Sequence, residues 1–473
     1  MNMQQDENTA IAHATAALLT NVEPINLVHV CESLGWEGAE GDYPKQKHIK
    51  VAIVHTLIET AKKHNWHIIY DAGFFYIYNS AHWVAMEDAA VKRLLKDAAI
   101  KMSYTEIECR DVSFVDKLFQ QVVQDGFFVE RNFKKQSIIN LKNGSLVLDE
   151  NGATLKTFDH RDFLTHQLDF AYDTQATNPL FLSYLERVLP DAYTRRTLQN
   201  VAGYLFVKGL KLEKIFFLFG TGANGKSVFF EVLNGVIGND NISNYSLESL
   251  TDEKGYHRAM IKDKIVNYGT DIRLTKIDAG MFKTLASGEP IEARLPYRNP
   301  FMMTDYAKLI FNVNKMDSAN VEHTHGFFRR LLIIPFFQTI SDEEQDRDLH
   351  KKILANRAGV LNWIIEGAKE VIVNRSIFIS AECEEFKTQF MKETDSVAMF
   401  EEYAIIDNLN DTNFYWDYVT AIYGSYKIYC NEAGYKNVLG RNNFVKRMEA
   451  IGFEKVKSRE GWYLKKTFLE KRL

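Results

Sequence analysis

The chain has 473 residues, a length that predicts about two to four domains rather than one simple core. Its hydrophobic content of 46% and charged content of 25% are typical of globular proteins and exclude a globally disordered chain. The net charge of −5 argues against a protein that coats nucleic acid with its whole surface, although the charge is unevenly distributed.

The chain shows no sign of membrane insertion or secretion. No apolar run approaches the ~20 residues that a membrane-spanning helix needs. The first residues, Met1 to Asn8, are polar and acidic, which argues against a secretory signal. The four cysteines are far apart and outside any C-x-x-C pair, so we expect reduced, buried thiols in a cytoplasmic protein, with neither a zinc site nor a disulfide framework. They are Cys31, Cys109, Cys383 and Cys430.

Residues 1–105 are expected to form a small mixed α/β domain, whose role the sequence does not indicate. The stretch Ile68–Asn79 alternates enough to predict strands, and Met86–Met102 has the apolar spacing of an amphipathic helix.

Residues 106–208 are expected to form a second domain of hairpins and helices. Ser137–Leu141 and Ser145–Leu148 predict two strands, and Asn143-Gly144 predicts the turn between them because Asn-Gly favours left-handed backbone geometry. Residues 178–208 are expected to be helical, with one apolar face. That face comprises Phe181, Leu182, Tyr184, Leu185 and Val188.

The most informative stretch is the sequence G-x-x-x-x-G-K-S, which runs from Gly220 to Ser227. It follows the apolar run Lys214–Phe219 and precedes the amphipathic run Val228–Ile237. Such a loop wraps phosphates with its backbone N–H groups at the positive end of a helix, so we predict bound ATP. Lys226 is expected to reach the β- and γ-phosphates, and the Ser227 hydroxyl to ligate Mg²⁺. The predicted nucleotide-binding set is Gly220, Thr221, Gly222, Ala223, Asn224, Gly225, Lys226 and Ser227.

Short apolar segments separated by helix-length stretches predict a buried parallel sheet within residues 209–375. They are Lys214–Phe219, Lys264–Gly269, Lys308–Val313 and Leu331–Phe336. Asp271 follows the second strand and is predicted to hold Mg²⁺ or activate water; an ordinary helix N-cap is the alternative role for this residue. Asp278 is the second candidate for the acid. Asn314 follows the third strand, where it would orient the attacking water; an ordinary turn residue is the alternative.

Two segments near the predicted sheet carry arginines. Arg329 and Arg330 precede a core strand, and one of them would suit an arginine finger for a neighbouring subunit's nucleotide; a surface salt bridge is the alternative. A β-hairpin is expected across Gly288–Phe301, with its tip at Arg298-Asn299. Aromatic and basic residues there suit a loop that grips DNA, and a purely structural hairpin is the alternative. The predicted DNA-binding set is Lys283, Arg294, Tyr297 and Arg298.

Residues 376–473 are expected to form a basic C-terminal domain. From Gly424 to Leu473 there are twelve Lys or Arg and five Asp or Glu, a net charge of +7. This excess fits a nucleic-acid contact, and a solvated basic face is the alternative. Three helices and a strand pair are predicted, at Val397–Tyr403, Tyr415–Ala433, Asn442–Ile451, Glu454–Lys457 and Trp462–Lys465. Helices followed by a two-stranded wing indicate a winged helix.

The motifs occur in a specific order. After the G-x-x-x-x-G-K-S loop come a strand ending in an acid, F-K-x-L-x-S-G-E-x-I-x-A-R from Phe282, a strand ending in Asn, F-R-R and I-P-F. Upstream lie N-L-K-N-G from Asn140, F-A-Y-D from Phe170 and L-Q-N-V-A-G-Y from Leu198; downstream lies Y-K-I-Y-C from Tyr426, with Asn443-Phe444. From about residue 106 to the end, this set resembles superfamily 3 helicases, and in particular the phage and plasmid primase-associated branch related to poxvirus primase-helicases.

The resemblance implies an α/β fold. Its centre would be a P-loop NTPase core of the AAA+-like kind with a parallel sheet, preceded by a mixed α/β and helical region and followed by a winged-helix domain. It also implies a ring, usually hexameric, that hydrolyses ATP with Mg²⁺ between subunits and translocates on single-stranded DNA, typically 3′ to 5′. The implied partners are single-stranded and forked DNA, further copies of the chain and a separate primase or replication initiator, in a bacterial host cytoplasm or its equivalent.

In the family's scheme Lys226 and Ser227 bind phosphate and Mg²⁺, Asp271 is the acid, Asn314 is the sensor, and Arg329 or Arg330 is the finger. The hairpin near Arg298 would be the DNA-contacting loop of the pore. The family often has Glu in place of Asp271, which leaves the identity of the catalytic base open. Many relatives also carry a primase-polymerase domain, whose spaced carboxylates and histidine are not evident here, so we expect no priming by this chain alone.

The sequence therefore favours a replicative DNA helicase of a phage, plasmid or other mobile element. One alternative is an AAA+-like ATPase that remodels or loads proteins. Another is a nucleotide-gated DNA-binding regulatory protein with slow hydrolysis. Hydrolysis that DNA stimulates distinguishes the helicase from both alternatives.

Overall fold

A computed structural model describes residues 3–39, 41–71, 73–125, 136–270, 277–296, 299–314, 324–406, 409, 414–435 and 438–468. Within these segments the protein contains helices, a five-stranded parallel sheet and several antiparallel sheets. The predicted α/β class is therefore confirmed. No helix in these segments is long and apolar enough to cross a membrane.

The N-terminal region packs helices against a three-stranded antiparallel sheet in the order β1-β2-β3. Its elements are α1 (Met3–Thr20), α2 (Leu27–Ser33), α3 (Gln46–Lys63), β1 (His67–Asp71), β2 (Phe74–Tyr78), β3 (Trp83–Met86), α4 (Asp88–Lys101), α5 (Glu106–Cys109) and α6 (Val112–Asp125). Leu57 of α3, Phe75 of β2 and Leu95 of α4 belong to one buried apolar cluster. The strands predicted at Ile68–Asn79 are confirmed as β1 and β2, and the helix predicted at Met86–Met102 is confirmed as α4.

A second antiparallel sheet, in the order β4-β5-β6, and two helices follow. They are β4 (Ser137–Leu141), β5 (Gly144–Asp149), β6 (Gly152–Lys156), α7 (Pro179–Val188) and α8 (Ala192–Tyr204). The predicted hairpin is confirmed, but the predicted turn is wrong by one residue, because Leu141 pairs with Gly144 and Lys142 and Asn143 form the turn. The φ angle of Asn143 is not positive; its side-chain amide instead bonds the backbone N–H and carbonyl of Tyr172.

The helical stretch predicted at 178–208 consists of two helices separated near Pro190. Asp191 ends the break, since its side chain caps the N-terminus of α8, and Asn178 caps the N-terminus of α7 at the far end of that helix. Leu182 is exposed, so its assignment to the apolar face is wrong, whereas the other members of that face are buried.

The N-terminal sheet joins the later chain through its second face. Trp83 of β3 is buried there, its indole N–H donates to His160 O at 2.9 Å, and its backbone N–H donates to Leu164 O at 2.8 Å. Tyr76 of β2 donates to the Asp263 carboxylate at 2.7 Å. The N-terminal region is therefore anchored to two separate parts of the chain.

The central sheet contains five parallel strands in the order β13-β7-β12-β9-β8. The elements of this region are β7 (Ile215–Phe219), α9 (Lys226–Ile237), β8 (Ile242–Ser243), α10 (Leu247–Leu250), α11 (Tyr256–Ala259), β9 (Val266–Gly269), α12 (Ala279–Ser287), β10 (Ile291–Ala293), β11 (Phe301–Met303), β12 (Lys308–Val313), α13 (His325–Phe328) and β13 (Leu331–Pro335). All four predicted strands are confirmed, and β8 is an additional edge strand. Phe216 and Leu218 of β7 join one buried cluster while Ile215 and Phe217 join another, so both faces of the sheet are covered.

Two close glycine contacts join the upstream helices to the central region. After β13 come α14 (Leu349–Leu354) and α15 (Arg357–Asn374). A Cβ on Gly203 of α8 would lie 2.1 Å from Ala368 N of α15, and a Cβ on Gly367 would lie 2.1 Å from Gln199 O. Only glycine permits the two helices to approach this closely.

The C-terminal region contains a three-stranded antiparallel sheet in the order β14-β16-β15. Its elements are α16 (Ala381–Thr394), α17 (Ser396–Phe400) with a π-helical turn at Glu401–Ile406, β14 (Phe414–Tyr418), α18 (Val419–Glu432), α19 (Arg441–Ala450), β15 (Glu454–Lys457) and β16 (Trp462–Thr467). The helix predicted at Tyr415–Ala433 is wrong at its start, because its first residues lie in β14. The other predicted helices and the strand pair are confirmed, and the winged-helix interpretation stays a prediction.

The cysteines have the environment that their spacing predicted. All four are buried and carry free thiols. Burial raises the pKa of Cys109 and of Cys383 to about 11, so both thiols are protonated and unreactive near neutral pH.

Four histidines lie near the contact between β1–β3 and the residues that follow β6. The rings of His67 and His160 stack with centroids 4.0 Å apart. Burial lowers the pKa of His67 and of His82 to about 4, and the pKa of His166 to about 3. Folding therefore favours the neutral form of these rings.

Acidification from pH 7 to pH 5 is expected to lower the urea midpoint of unfolding. Histidine becomes protonated near pH 6.5 in the unfolded chain, but these rings become protonated only near pH 4 or below in the folded chain. The neutral rings therefore contribute fully to the free energy of unfolding above pH 6.5, and this contribution is lost as the pH falls towards 4. His82→Asn should remove about 1 kcal/mol of the pH-dependent loss. His29→Asn, at an exposed position on α2, is the control. An equal loss in the His82 variant and the wild type would contradict this account.

Candidate active site

The glycine-rich loop begins where β7 ends, at the carboxyl edge of the central sheet. Gly220 N donates to Val313 O of β12 at 3.0 Å, and Phe336 N donates to Phe219 O at 2.7 Å. The start of the loop is therefore held between the ends of two neighbouring strands. The loop leads directly into α9, whose first residue is Lys226.

Glycine is required at two positions in the loop. Gly225 has a φ of +85°, and a Cβ there would lie 2.5 Å from Cγ1 of Val188 in α7. A Cβ on Gly220 would lie 2.7 Å from Phe336 O, just beyond β13. A larger residue at either position would strain the backbone or displace a neighbour, which explains the glycine spacing of the motif.

Lys226 is buried within the loop and held by the loop itself. Its ammonium donates to Gly220 O at 2.5 Å and to Asn224 Oδ1 at 2.9 Å. The amide of Asn224 in turn donates to Phe336 O at 3.3 Å. The role of Asn224 in positioning the lysine side chain was not predicted, because the motif allows any residue type at the position just before its second glycine.

Tyr184 of α7 was predicted only as part of an apolar helix face, but it also supports the loop. Its hydroxyl donates to Gly225 O at 2.8 Å, and its ring is buried. Burial raises the pKa of Tyr184 far above its usual value, so the hydroxyl remains a donor. No local sequence signal connects these two residues, because the contact depends on how α7 packs.

The loop offers the groups that a polyphosphate needs. The backbone N–H groups of residues 221–225 donate to no residue that the structure describes. The N-terminus of α9 adds positive potential, and the Lys226 ammonium adds a full charge. Thr221, Ala223 and Ser227 are exposed, so the outer side of the loop is open to solvent. The residues present therefore fit a nucleotide's phosphates.

The carboxylates of the prediction are only partly described. Asp271 lies outside the described residues; β9, which precedes it, ends at Gly269 on the same sheet edge as the loop. Asp278 caps α12, with its carboxylate accepting from Met281 N at 2.6 Å. Among the described residues there is no group of three His, Cys, Asp or Glu side chains that could hold a metal ion. The proposed Mg²⁺ ligands Ser227 and Asp271 stay a prediction.

Asn314 lies beside the start of the loop. It follows β12, in which Val313 pairs with Phe219 of the parallel strand β7. The next residues of the two strands are Asn314 and Gly220, so the fold brings the predicted sensor to the glycine-rich loop. Asn314 is exposed at this edge.

Arg329 and Arg330 lie at the opposite, amino edge of the same sheet. They precede Leu331, the first residue of β13, which pairs with Ile215, the first residue of β7. Because β7 has five residues at about 3.3 Å each, the arginine backbones lie about 17 Å along the strand direction from their own loop. Within one chain, the fold does not bring these arginines to the loop.

The two arginines differ in their freedom. The side chain of Arg329 is 44% exposed, and its guanidinium lies 2.6 Å from the Glu213 carboxylate. The side chain of Arg330 is 12% exposed and donates to Ser287 Oγ at 3.0 Å and to Gly326 O at 2.7 Å. Arg330 is therefore committed to internal contacts, whereas Arg329 retains an exposed guanidinium.

The predicted β-hairpin is confirmed, since β10 and β11 pair in antiparallel fashion. Arg294 follows β10, is exposed, and places its guanidinium 6.0 Å from the ring centroid of Tyr256. Lys283 lies on α12, which precedes the hairpin. Tyr297 and Arg298, predicted at the hairpin tip, lie outside the described residues.

A cavity of about 440 Å³ also lies at the amino edge of the sheet, between the N-terminal sheet, the hairpin and the starts of the core strands. Two of its lysines contact acids: Lys208 pairs with Asp305 at 2.9 Å, and Lys262 pairs with Asp263 at 2.7 Å. The cavity is separate from the glycine-rich loop.

Comparison with known families gives three matches along the chain. A family described as D5 N terminal like matches residues 55–190, and a family described as poxvirus D5 protein-like matches residues 392–471. Between them, residues 218–330 match a family of unknown function, DUF5906. The segment 218–330 contains the glycine-rich loop, Asn314 and both arginines.

Individual relatives are distant. A protein of Acanthamoeba polyphaga mimivirus, provisionally described as a helicase, is 23% identical over 183 residues. The match covers 36% of this chain and 18% of the mimivirus protein. A solved apo structure of the NrS-1 C-terminal region is 11% identical, with a TM-score of 0.49, over 87% of this chain and 98% of that chain. Another structure of the same region is 12% identical, with a TM-score of 0.46, over 90% and 100%.

Tyr184→Phe is expected to destabilise the protein by about 1 kcal/mol, because it removes one buried hydrogen bond to the loop and leaves the ring in place. The measurement is the shift in the urea midpoint of unfolding. Tyr193→Phe, at an exposed position on α8, is the matched control and should change little. Equal stability of the two variants would show that the Tyr184 hydroxyl does not support the loop.

Proposed function

Because the chain belongs to the D5-like primase-helicase family, with which a superfamily 3 assignment is consistent, we propose that it is an ATP-driven replicative DNA helicase of a phage, plasmid or other mobile element. It would act as a ring, most simply a hexamer, and translocate on single-stranded DNA. The observation that carries this proposal is the loop that holds Lys226 at the start of a helix, beside backbone N–H groups that donate to none of the described residues. The proposed domain boundaries fall after residues 105, 208 and 375.

The loop residues are proposed to bind ATP through its phosphates. The N–H groups of residues 221–225 would donate hydrogen bonds to the phosphate oxygens, and Lys226 would neutralise charge near the β- and γ-phosphates. Bound ATP supplies the phosphoanhydride whose hydrolysis drives movement. Ser227 and Asp271 are proposed to hold Mg²⁺, and Asn314 to orient the attacking water beside the loop.

We further propose that Arg329 is the arginine finger and that it acts on the nucleotide of a neighbouring subunit. Its position at the amino edge of the sheet supports action in trans, since its own loop lies at the carboxyl edge. Its exposed guanidinium favours it over Arg330, which the Ser287 and Gly326 contacts occupy. Glu213 would orient Arg329 until the neighbouring subunit docks.

The hairpin of β10 and β11 is proposed to contact single-stranded DNA in the pore. The exposed Arg294 supports this role, and Lys283, Tyr297 and Arg298 are proposed to join it. We also propose that the protein acts on forked DNA in the cytoplasm of a bacterial host, together with a separate primase or replication initiator. A remodelling ATPase or a nucleotide-gated regulatory protein would lack strand displacement that requires hydrolysis.

Lys226→Ala is expected to reduce ATP hydrolysis at least about 100-fold and to abolish strand displacement on forked DNA, because it removes the cation that contacts the phosphates. The measurements are phosphate release, with and without single-stranded DNA, and displacement of a labelled strand. Lys62→Ala, at an exposed lysine of α3, is the control. Unchanged hydrolysis in the Lys226 variant would refute the assigned site. Hydrolysis without displacement by the wild type would favour the remodelling alternative.

Mixing two inactive variants tests the arginine finger. Lys226→Ala and Arg329→Ala are each expected to be inactive, while a 1:1 mixture should recover about a quarter of the wild-type hydrolysis, because a quarter of the subunit interfaces would combine an intact loop with an intact arginine. The measurement is DNA-stimulated phosphate release after mixing, with the mass of the assemblies determined in parallel. A mixture that assembles but stays inactive would contradict action in trans.

A further inference from the structure

The cations of the C-terminal region differ in whether an acid neutralises them. Some form ion pairs: Arg447 with Asp395, Lys465 with Glu454, and Lys466 with Glu401. Five others, on α19 and on the adjoining hairpin of β15 and β16, are exposed and pair with no acid among the residues that the structure describes. They are Arg441, Lys446, Lys455, Lys457 and Arg459. Their charge is therefore available to a partner.

The register of the sheet shows on which side the lysines of the hairpin lie. Lys455 pairs with Leu464, and Lys457 pairs with Trp462. Residues directly opposite each other share one face of a sheet. Leu464 is buried in the same apolar cluster as Phe444 of α19. The two lysines therefore project on the side of the sheet that α19 covers, beyond the part of that side that is buried.

The opposite side of the sheet has a different pattern of charge. Lys465 lies there beside Trp416, and its ammonium is 2.8 Å from the Glu454 carboxylate. The Glu460 carboxylate also faces that side, where it accepts from the Tyr418 hydroxyl at 2.8 Å. The positive charge without an acidic partner is thus confined to the α19 side.

Trp462 holds the lysines of the hairpin in place. The ammonium groups of Lys455 and Lys457 lie 4.6 and 5.7 Å from the centroid of its ring, which is 46% exposed. Cation–π contacts with an exposed ring restrain the two side chains and leave their ammonium groups open to solvent. Arg459, in the turn between the strands, adds a third charge. One end of the hairpin therefore presents three cations.

The outer face of α19 adds groups that can form hydrogen bonds in both directions. The helix buries the apolar residues Phe444, Val445 and Met448. Asn442, Asn443 and Lys446 are exposed, and Glu449, in the last turn, is the one acid of the helix. An asparagine amide both donates and accepts, as the base edges in a major groove do, and that groove admits an α-helix.

Cations on a helix and on an adjoining hairpin fit a DNA duplex. A duplex presents phosphates on both sides of its major groove, so a helix in the groove and a hairpin against the backbone can bind together. A single strand would instead need exposed rings on which its bases stack. On the α19 side of the described sheet, Trp462 is the one exposed ring, and two lysines already lie over it.

We propose that the exposed face of α19 and the β15–β16 hairpin, together called the basic surface below, bind the double-stranded arm of forked DNA. The helix would enter the major groove, and the lysines of the hairpin would contact phosphates. This contact would be separate from the β10–β11 hairpin, which is proposed for the single strand. It deepens the proposed helicase function and rests on it for the identity of the nucleic acid.

The test measures binding of a fluorescein-labelled duplex to the full chain, without ATP, by anisotropy at several salt concentrations. The duplex has about 20 base pairs, or about two helical turns. Lys446→Gln and Lys457→Gln, one from each element, should each raise Kd roughly five- to tenfold at about 0.1 M salt and lower the slope of log K against log salt by about one. Lys465→Gln removes the same charge from the opposite side of the same sheet and is the matched control, which should bind like the wild type.

Intrinsic fluorescence provides a second measurement. The described residues include all six tryptophans, and the two classed as exposed, Trp416 and Trp462, lie on opposite sides of this sheet. The duplex should change the emission of the wild type because it covers the Trp462 ring. Trp462→Phe should lose much of that change, whereas Trp416→Phe should keep it. The reverse result would place the DNA on the wrong side of the sheet and overturn the proposal.

The outcomes separate this proposal from the proposed function. If Lys446→Gln or Lys457→Gln binds the duplex like the wild type while single-stranded DNA still stimulates hydrolysis, the basic surface is not a duplex site and the helicase proposal stands. If Lys465→Gln weakens binding as much as Lys457→Gln, net charge determines binding and the basic surface is overturned. If the wild type binds no DNA and single-stranded DNA does not stimulate its hydrolysis, both proposals fail.

Two competitors test the chemistry of the partner. If the variants lose affinity for oligo-dT as much as for the duplex, the contact is with single strands and the duplex assignment is overturned. If polyglutamate displaces the duplex as well as unlabelled duplex of equal charge does, the surface binds acidic chains in general and the assignment to DNA is overturned. The proposal requires that unlabelled duplex compete best.

Discussion

The central constraint is the pairing of β7 with β12 on one side and β13 on the other. All three strands are parallel and nearly completely buried, and alternate residues of β7 enter different apolar clusters. A shift of one residue would exchange the two faces, so the register is strongly determined. That register sets where β7 stops, and therefore where the glycine-rich loop starts and which residues stand beside it. Lys226 and Asn314 owe their proximity to this pairing rather than to their positions in the sequence.

The same pairing separates the loop from the arginines. Parallel strands place all their carboxyl ends at one edge, so residues that precede a strand lie at the other edge. Arg329 precedes β13 and the loop follows β7, which leaves one chain with two partial sites. In a ring in which the amino edge of one subunit faces the loop of the next, the arginine of the first subunit would meet the nucleotide of the second. Hydrolysis would therefore require the proposed oligomer. The close contact of α8 and α15 at Gly203 and Gly367 would keep the upstream region fixed to each subunit.

The sequence predicted best what depends on local pattern. The core strands are continuous apolar runs because both faces of a parallel sheet are buried. The loop motif is defined by glycines at positions where the backbone is too tightly packed for a side chain. The two-residue strand β8 is too short to show a period. The start of the helix predicted at Tyr415 was wrong because the aromatics of β14 satisfy helical spacing as well as strand alternation. The turn at Lys142 and Asn143 was displaced because Asn143 is used to hold Tyr172 instead.

Within the site, the motif identified the loop, but the supports of the loop could not be predicted. Tyr184 is 41 residues from Gly225 and reaches it only because α7 packs beside the loop. Asn224 occupies a motif position that allows many residue types. Its side-chain oxygen accepts from Lys226 while its amide nitrogen donates to the Phe336 carbonyl, a contact with a distant part of the chain. The preference for Arg329 over Arg330 likewise depends on Ser287 and Gly326, which come from neighbouring elements. These are tertiary contacts, and no periodicity encodes them.

The most direct test of the account measures ATP hydrolysis by the wild-type protein as single-stranded DNA is added, while the mass of the assemblies is determined in the same samples. The account predicts that DNA stimulates hydrolysis and that the active species has the mass of a ring. Hydrolysis that does not respond to DNA, or a protein that remains monomeric under every nucleotide condition, would contradict it.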